Sequence, residues 1–200
     1  MSFLSLVGVE FKKIKRSKIF LILFAATVIL WIPSILNAEM NFNMQAEGIS
    51  PENNFFIQGF MGMAWFMFPA SMVVGTVLLS QTERTNKGIL KMLALPISTV
   101  KLCLAKFVVL LALAASQILM MVGMYYISAA IVTGTQDYNF ILSPLFVFKE
   151  VGFIAVSTIP MLAFFWLLAV CIQTPIFSIG IGLASIVPSV LMINTKAWFA

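Results

Sequence analysis

"QTERTNKGILKMLALPISTVKLCLAK", residues 81–106, lies between two stretches too apolar for a water-facing fold, yet carries five of the chain's twelve basic side chains. The reading of this segment depends on its flanks. The chain has 200 residues, 62% of them hydrophobic and only 10% charged, whereas soluble domains run nearer half apolar and a quarter charged. Charge-free apolar runs fall at about residues 19–36, 55–79, 107–132, 151–171 and 175–193. A helix that crosses a bilayer takes about 20 such residues, and lipid obliges every backbone amide to be paired within the segment. None of the runs alternates as barrel strands do. The expected fold class is therefore all-α and polytopic: five transmembrane helices in a single domain over residues 1–200.

The cations set the expected orientation, because short loops rich in Lys and Arg stay cytoplasmic. Lys12, Lys13, Lys15, Arg16 and Lys18 precede the first run, and Arg84, Lys87, Lys91, Lys101 and Lys106 lie between the second and third. Both segments, and the amino terminus, are thus expected in the cytoplasm. The loops at residues 37–54 and 133–150 carry most of the acidic residues and face outward. A cleaved signal peptide is the competing reading of the first run, but its apolar core exceeds the roughly 7–15 residues of such peptides. A retained anchor is expected.

Residues 3–18 place Phe3, Leu4, Val7, Phe11 and Ile14 at helical spacing, with lysines on the remaining arc. That pattern predicts an interfacial helix under the inner leaflet; a frayed, topology-setting tail is the alternative. The net charge of +5 is accounted for by membrane lipids with anionic headgroups, with no need of nucleic acid. Cys103 and Cys171 map to cytoplasmic helix ends, so no disulfide is expected. Small residues recur at packing spacing in Ala112 with Ser116, Ser178 with Gly182, and Gly180 with Ala184.

Several chemistries are excluded. The chain contains no His, which removes His-based metal sites and His-dependent nucleophilic catalysis. No Asp, Glu, Lys or Arg lies inside an assigned span, so ion coupling has no obvious group to use. The P-loop pattern is absent, and ATP could be harvested only by another subunit. No catalytic residue, metal site or cofactor of this chain's own is expected. Gln58, Ser71, Thr76, Ser80, Gln117, Ser157 and Thr158 are mild polar side chains in or at the ends of spans that either join helices or line a pathway, Ser71, Thr76, Gln117, Ser157 and Thr158 being the candidates for lining.

Within the basic segment, Arg84, Lys87 and Lys91 share one arc of a short helix while Ile89, Leu90 and Leu93 share another. Pro96 helps to end that helix and Ser98 or Thr99 is suited to cap the next. A short helix tethered at both ends to membrane helices can pass a push from a soluble partner into the bundle. Here the residues resemble the permease subunits of ABC exporters of the type-2 family: "ERTNKGILKMLALPIS" carries Glu83, Arg84, Gly88, Leu90, Leu93, Pro96 and Ser98 at matching positions. The chain looks in particular like the short permeases that protect bacteria from lantibiotics and related peptide antibiotics. The resemblance implies a coupling segment, Glu83, Arg84, Lys87, Gly88, Leu90, Lys91, Leu93 and Pro96, docking on a separate ABC ATP-binding subunit that holds ATP and Mg. It also implies a second permease chain, the same or a sister, a peptide-like substrate and a place in the bacterial plasma membrane. The family has six spans, and the sequence ending in "NTKAWFA" is expected to lack the sixth. A non-transporting sensor or assembly component and a nucleotide-independent channel are the alternatives; dependence on a partner ATPase separates them.

Overall fold

The computed structural model describes residues 2–16, 18–84, 98–172 and 174–191. Among these residues the chain is helical throughout, without a strand. Helix α1, Phe3–Arg16, leads through a turn at Lys18, whose backbone takes the left-handed conformation at φ 56°, into α2, Ile19–Leu36. A 3₁₀ segment, Ala38–Glu47, precedes α3, Pro51–Gly62, which runs through a π-helical turn, Met63–Met67, into α4, Phe68–Arg84. Then come α5, Thr99–Gln136, α6, Pro144–Cys171, and α7, Pro175–Leu191.

Local chemistry explains the boundaries. Ser98 accepts a hydrogen bond from the Lys101 amide at 3.5 Å and so caps α5 as its position suggests; Pro144 and Pro175 open their helices where a missing N–H costs nothing. In the second run the widened turn stands beside Pro69. The Phe68 amide donates to the Met63 carbonyl, five residues back, and Pro69 has no N–H to offer the usual carbonyl four residues back.

Among the described residues, four helical stretches are long and apolar enough to cross a membrane: Ile19–Leu36, Pro51–Gln81, Thr99–Gln136 and Pro144–Cys171. The apolar helix Pro175–Pro188 is shorter. Three of the four overrun the apolar stretches expected at 55–79, 107–132 and 151–171. Helical hydrogen bonding does not stop where hydrocarbon does: the 38 residues of α5 reach about 57 Å at about 1.5 Å per residue, against about 30 Å of hydrocarbon.

Helix α5 is the central post. α1, α2 and α6 pack along it, while α4 packs against α6 and α7. The shared core includes Met63, Met72, Val109, Met121, Leu162 and Phe165, all buried. Many large apolar side chains instead face outward, among them Phe20, Phe24, Leu119, Phe153, Val156 and Phe177. This inverts the water-soluble pattern and suits a lipid surround. Of the small-residue pairs, Ser178 is buried and Gly182 meets α4, where a Cβ would come within 2.7 Å of Val73 Cγ1. Gly180 and Ala184 lie on the outer face.

The expected interfacial helix departs from its sequence pattern in one respect. The face of α1 turned to the protein carries Leu6, Glu10 and Ile14, all buried, whereas Phe3, Leu4 and Phe11 are exposed. A carboxylate sits in the middle of the docked stripe.

Candidate functional site

At the end of the bundle that carries α1, Glu10 is 1% exposed and Lys106, reaching in from α5, is 4% exposed. Glu10 Oε1 lies 2.5 Å from Lys13 Nζ, and Glu10 Oε2 lies 3.8 Å from Lys106 Nζ. Burying an isolated carboxylate among apolar side chains is prohibitive, so the two ammonium groups are what allow α1 to dock here. In the sequence Lys13 and Lys106 count only as topology-setting cations, and nothing there singles out Glu10 as their partner. The available signal was that Glu10 is the one acidic residue before Glu39 in a strongly basic stretch. Glu10→Gln keeps the shape and removes a counter-charge from buried Lys106. The expected loss is about 2 kcal/mol, short of the roughly 3–5 found when a tight buried pair is broken, since Lys13 can turn to water and 3.8 Å is a loose separation. A lower thermal midpoint in detergent, with faster tryptic cleavage within α1, would register it.

Helix α4 ends at Arg84, and α5, which carries Lys106, begins at Thr99. The expected coupling segment bridges these two ends. Lys87, Gly88, Leu90, Lys91, Leu93 and Pro96 lie outside the described residues, as do the side chains of Glu83 and Arg84.

Of the polar side chains in the spans, the structure brings two together. Ser71 Oγ donates to Gln117 Oε1 at 2.7 Å, tying α4 to α5 inside the bundle. Gln117 is fully buried and its Nε2 has no hydrogen-bond acceptor among the described residues. Thr76, Ser157 and Thr158 instead satisfy their hydroxyls within their own helices, on the carbonyls of Met72, Ile154 and Ile154 at 2.6, 2.9 and 2.7 Å. Thr76 and Thr158 are buried, and Ser157 is exposed on the outer surface.

The opposite end is closed by aromatic rings. Trp31 packs on Phe55, Phe60 and Tyr125 with ring centroids 6.0, 5.8 and 6.0 Å away. Gly59 makes room, for a Cβ there would stand 2.5 Å from the Trp31 ring. The Tyr125 hydroxyl donates to the Phe140 carbonyl at 3.2 Å and accepts from the Leu142 amide at 3.0 Å, which pins the loop between α5 and α6. Tyr138 in that loop donates to Glu52 at 2.5 Å, and Phe42 stacks edge-on against Tyr138 and Phe140. The Glu52 carboxylate accepting that bond raises the Tyr138 phenol above its ordinary pKa. The two loops expected to face outward therefore share one end and pack on each other.

A helical bundle with a membrane-grade surface, a basic end where α1 is docked by a buried ion pair, and two long helices joined by a short basic segment is the setting in which the comparison with known families has meaning. The family described as ABC-2 family transporter protein matches residues 6–189, nearly the whole chain. The chain belongs to the ABC-2 transporter family. No curated protein and no solved structure matches it. As an ABC-2 permease it is a multi-pass membrane subunit of an ABC transporter, of a family whose members are transport subunits and generally not themselves catalytic, and membership implies an ABC ATP-binding partner. Among its described residues no cluster of His, Cys, Asp and Glu is placed to hold a metal ion.

Proposed function

We propose that this permease forms, with a second permease chain, the membrane pathway of an ATP-driven exporter in the bacterial plasma membrane, removing amphipathic peptide antibiotics of the lantibiotic kind. The observation that carries the mechanism is the sequence "ERTNKGILKMLALPIS" between two helices that both run deep into the bundle. Residues 85–97 are joined to α4 and α5 without a spacer. A displacement of that segment by ATP-driven closure of two ATP-binding subunits is passed to the Ser71–Gln117 contact and to the packed face that α4 shares with α6 and α7. The absence of Asp, Glu, Lys and Arg from the expected spans suits an amphipathic passenger better than a small ion.

Cells expressing the permease with its ATP-binding subunit are expected to tolerate a several-fold higher lantibiotic concentration than cells with neither. Replacing the P-loop Lys of the ATP-binding subunit is expected to remove the gain. Tolerance that survives that replacement would favour a nucleotide-independent channel. Unchanged tolerance, accompanied by altered transcription on exposure to peptide, would favour a sensor.

A further inference from the structure

Between α1, α2 and α5 lies an open groove of about 860 Å³. Its walls are apolar, contributed by Phe11, Phe20, Leu21 and Phe24. The floor is α5 at Ala112, Leu113 and Ser116. Two of these are the small residues whose spacing suggested a helix-packing pair; here they leave a hollow. The Ser116 hydroxyl donates to the Leu113 carbonyl at 2.7 Å, so its polar atom is already satisfied and the floor is in effect apolar. Lys12, Lys15 and Lys18 line the same groove. The left-handed turn at Lys18, whose carbonyl accepts from the Leu21 and Ile22 amides, sets the third lysine at the junction of α1 and α2. Among the described residues none of the three has a carboxylate within ion-pair distance, in contrast to Lys13 and Lys106, and no acidic side chain lines the groove.

Charge selects the occupant. Residues 85–97 carry Lys87 and Lys91 and no carboxylate, so as an occupant that segment would add cations to a cationic site. A second copy would present the same basic face, and a cationic peptide would be repelled. What fits three ammonium groups above a greasy slot, at the level where an amphipathic helix lies along the leaflet, is an anion with an acyl tail. We infer that the groove between α1, α2 and α5 is a binding site for one anionic phospholipid, its phosphate held by Lys12, Lys15 and Lys18 and an acyl chain lying over Ala112 and Ser116. The site does not depend on what the permease transports. Through the Glu10–Lys106 contact, which holds α1 to α5, it makes lipid charge a ligand of α5, one of the two helices that flank the expected coupling segment.

Native mass spectrometry of the purified full chain in mild detergent tests this, with dioleoyl-phosphatidylglycerol and dioleoyl-phosphatidylcholine as probes. One phosphatidylglycerol is expected to be retained with a preference of about tenfold or more, since each lysine near an anionic headgroup contributes about fivefold. Lys12→Gln, Lys15→Gln and Lys18→Gln together are expected to reduce the preference to within about twofold. These side chains are exposed, and far-UV circular dichroism verifies that the variant folds. Ser116→Phe, or the milder Ala112→Leu where the first fails to fold, is expected to expel the lipid with every lysine in place. Millimolar inorganic phosphate is expected not to displace it. Equal binding of the two lipids, a preference that persists in the triple variant, retention by both filled-groove variants, or displacement by phosphate would each overturn the assignment.

Discussion

Leu90→Asp is expected to abolish retention of the ATP-binding subunit during purification in detergent, while Lys91→Ala leaves most of it in place. The two residues are adjacent, but in the short helix expected from the sequence they fall on different arcs, Leu90 with Ile89 and Leu93, Lys91 with Arg84 and Lys87. An exposed ion pair with a partner protein is worth about 0–1 kcal/mol and is screened by salt. A carboxylate forced into an apolar contact loses the burial of the leucine and adds the desolvation of a charge, several kcal/mol in all. Affinity for the ATP-binding subunit is thus expected to fall about a hundredfold or more for Leu90→Asp and within about fivefold for Lys91→Ala. Equal, small effects would mean that the segment rests on lipid and does not dock.

Trp31→Ala is the second large effect. Trp31 is almost wholly buried and touches rings from α3 and α5, with Gly59 directly beneath it. Lipid is as apolar as the interior, so exclusion from water contributes little and the lost contacts and the cavity carry the cost. About 3–4 kcal/mol is expected by analogy with other buried aromatic truncations. The thermal midpoint of the solubilised protein is expected to fall, and the loop pinned by Tyr125 to become open to proteolysis. Trp31→Phe, which keeps an aromatic ring in place, is expected to recover much of the loss. An alanine variant as stable as the parent would mean that the aromatic end is not part of the folded core.

What could be read in advance followed from the strength of each local signal. Long apolar runs, basic segments and Ser98 before the third run each carry information within a few residues, and the family pattern at residues 83–98 does the same. Helix α1 was legible as an amphipathic helix, but its inward stripe was not, because the partner of Glu10 stands far along the chain on α5. Ser71 and Gln117 were legible as polar residues in spans, but their pairing across 46 positions belongs to tertiary structure. The spacing of small residues names a face and is silent about its neighbour: Gly182 meets a helix, Gly180 faces outward, and Ala112 with Ser116 borders a groove. Nineteen Phe announced an apolar protein without announcing that three of them, Phe55, Phe56 and Phe60, would gather around Trp31 and Tyr125 at one end.

The widened turn at Met63–Met67 holds one residue more per turn than the helix on either side. One residue of an α-helix is about 100° of rotation and about 1.5 Å of advance. Tightening that turn would therefore revolve α4 against α3, re-aiming Ser71 away from Gln117 while the aromatic end stayed fixed. The surplus residue makes the second span a screw thread between the end that would receive the partner's stroke and the end that the rings hold closed.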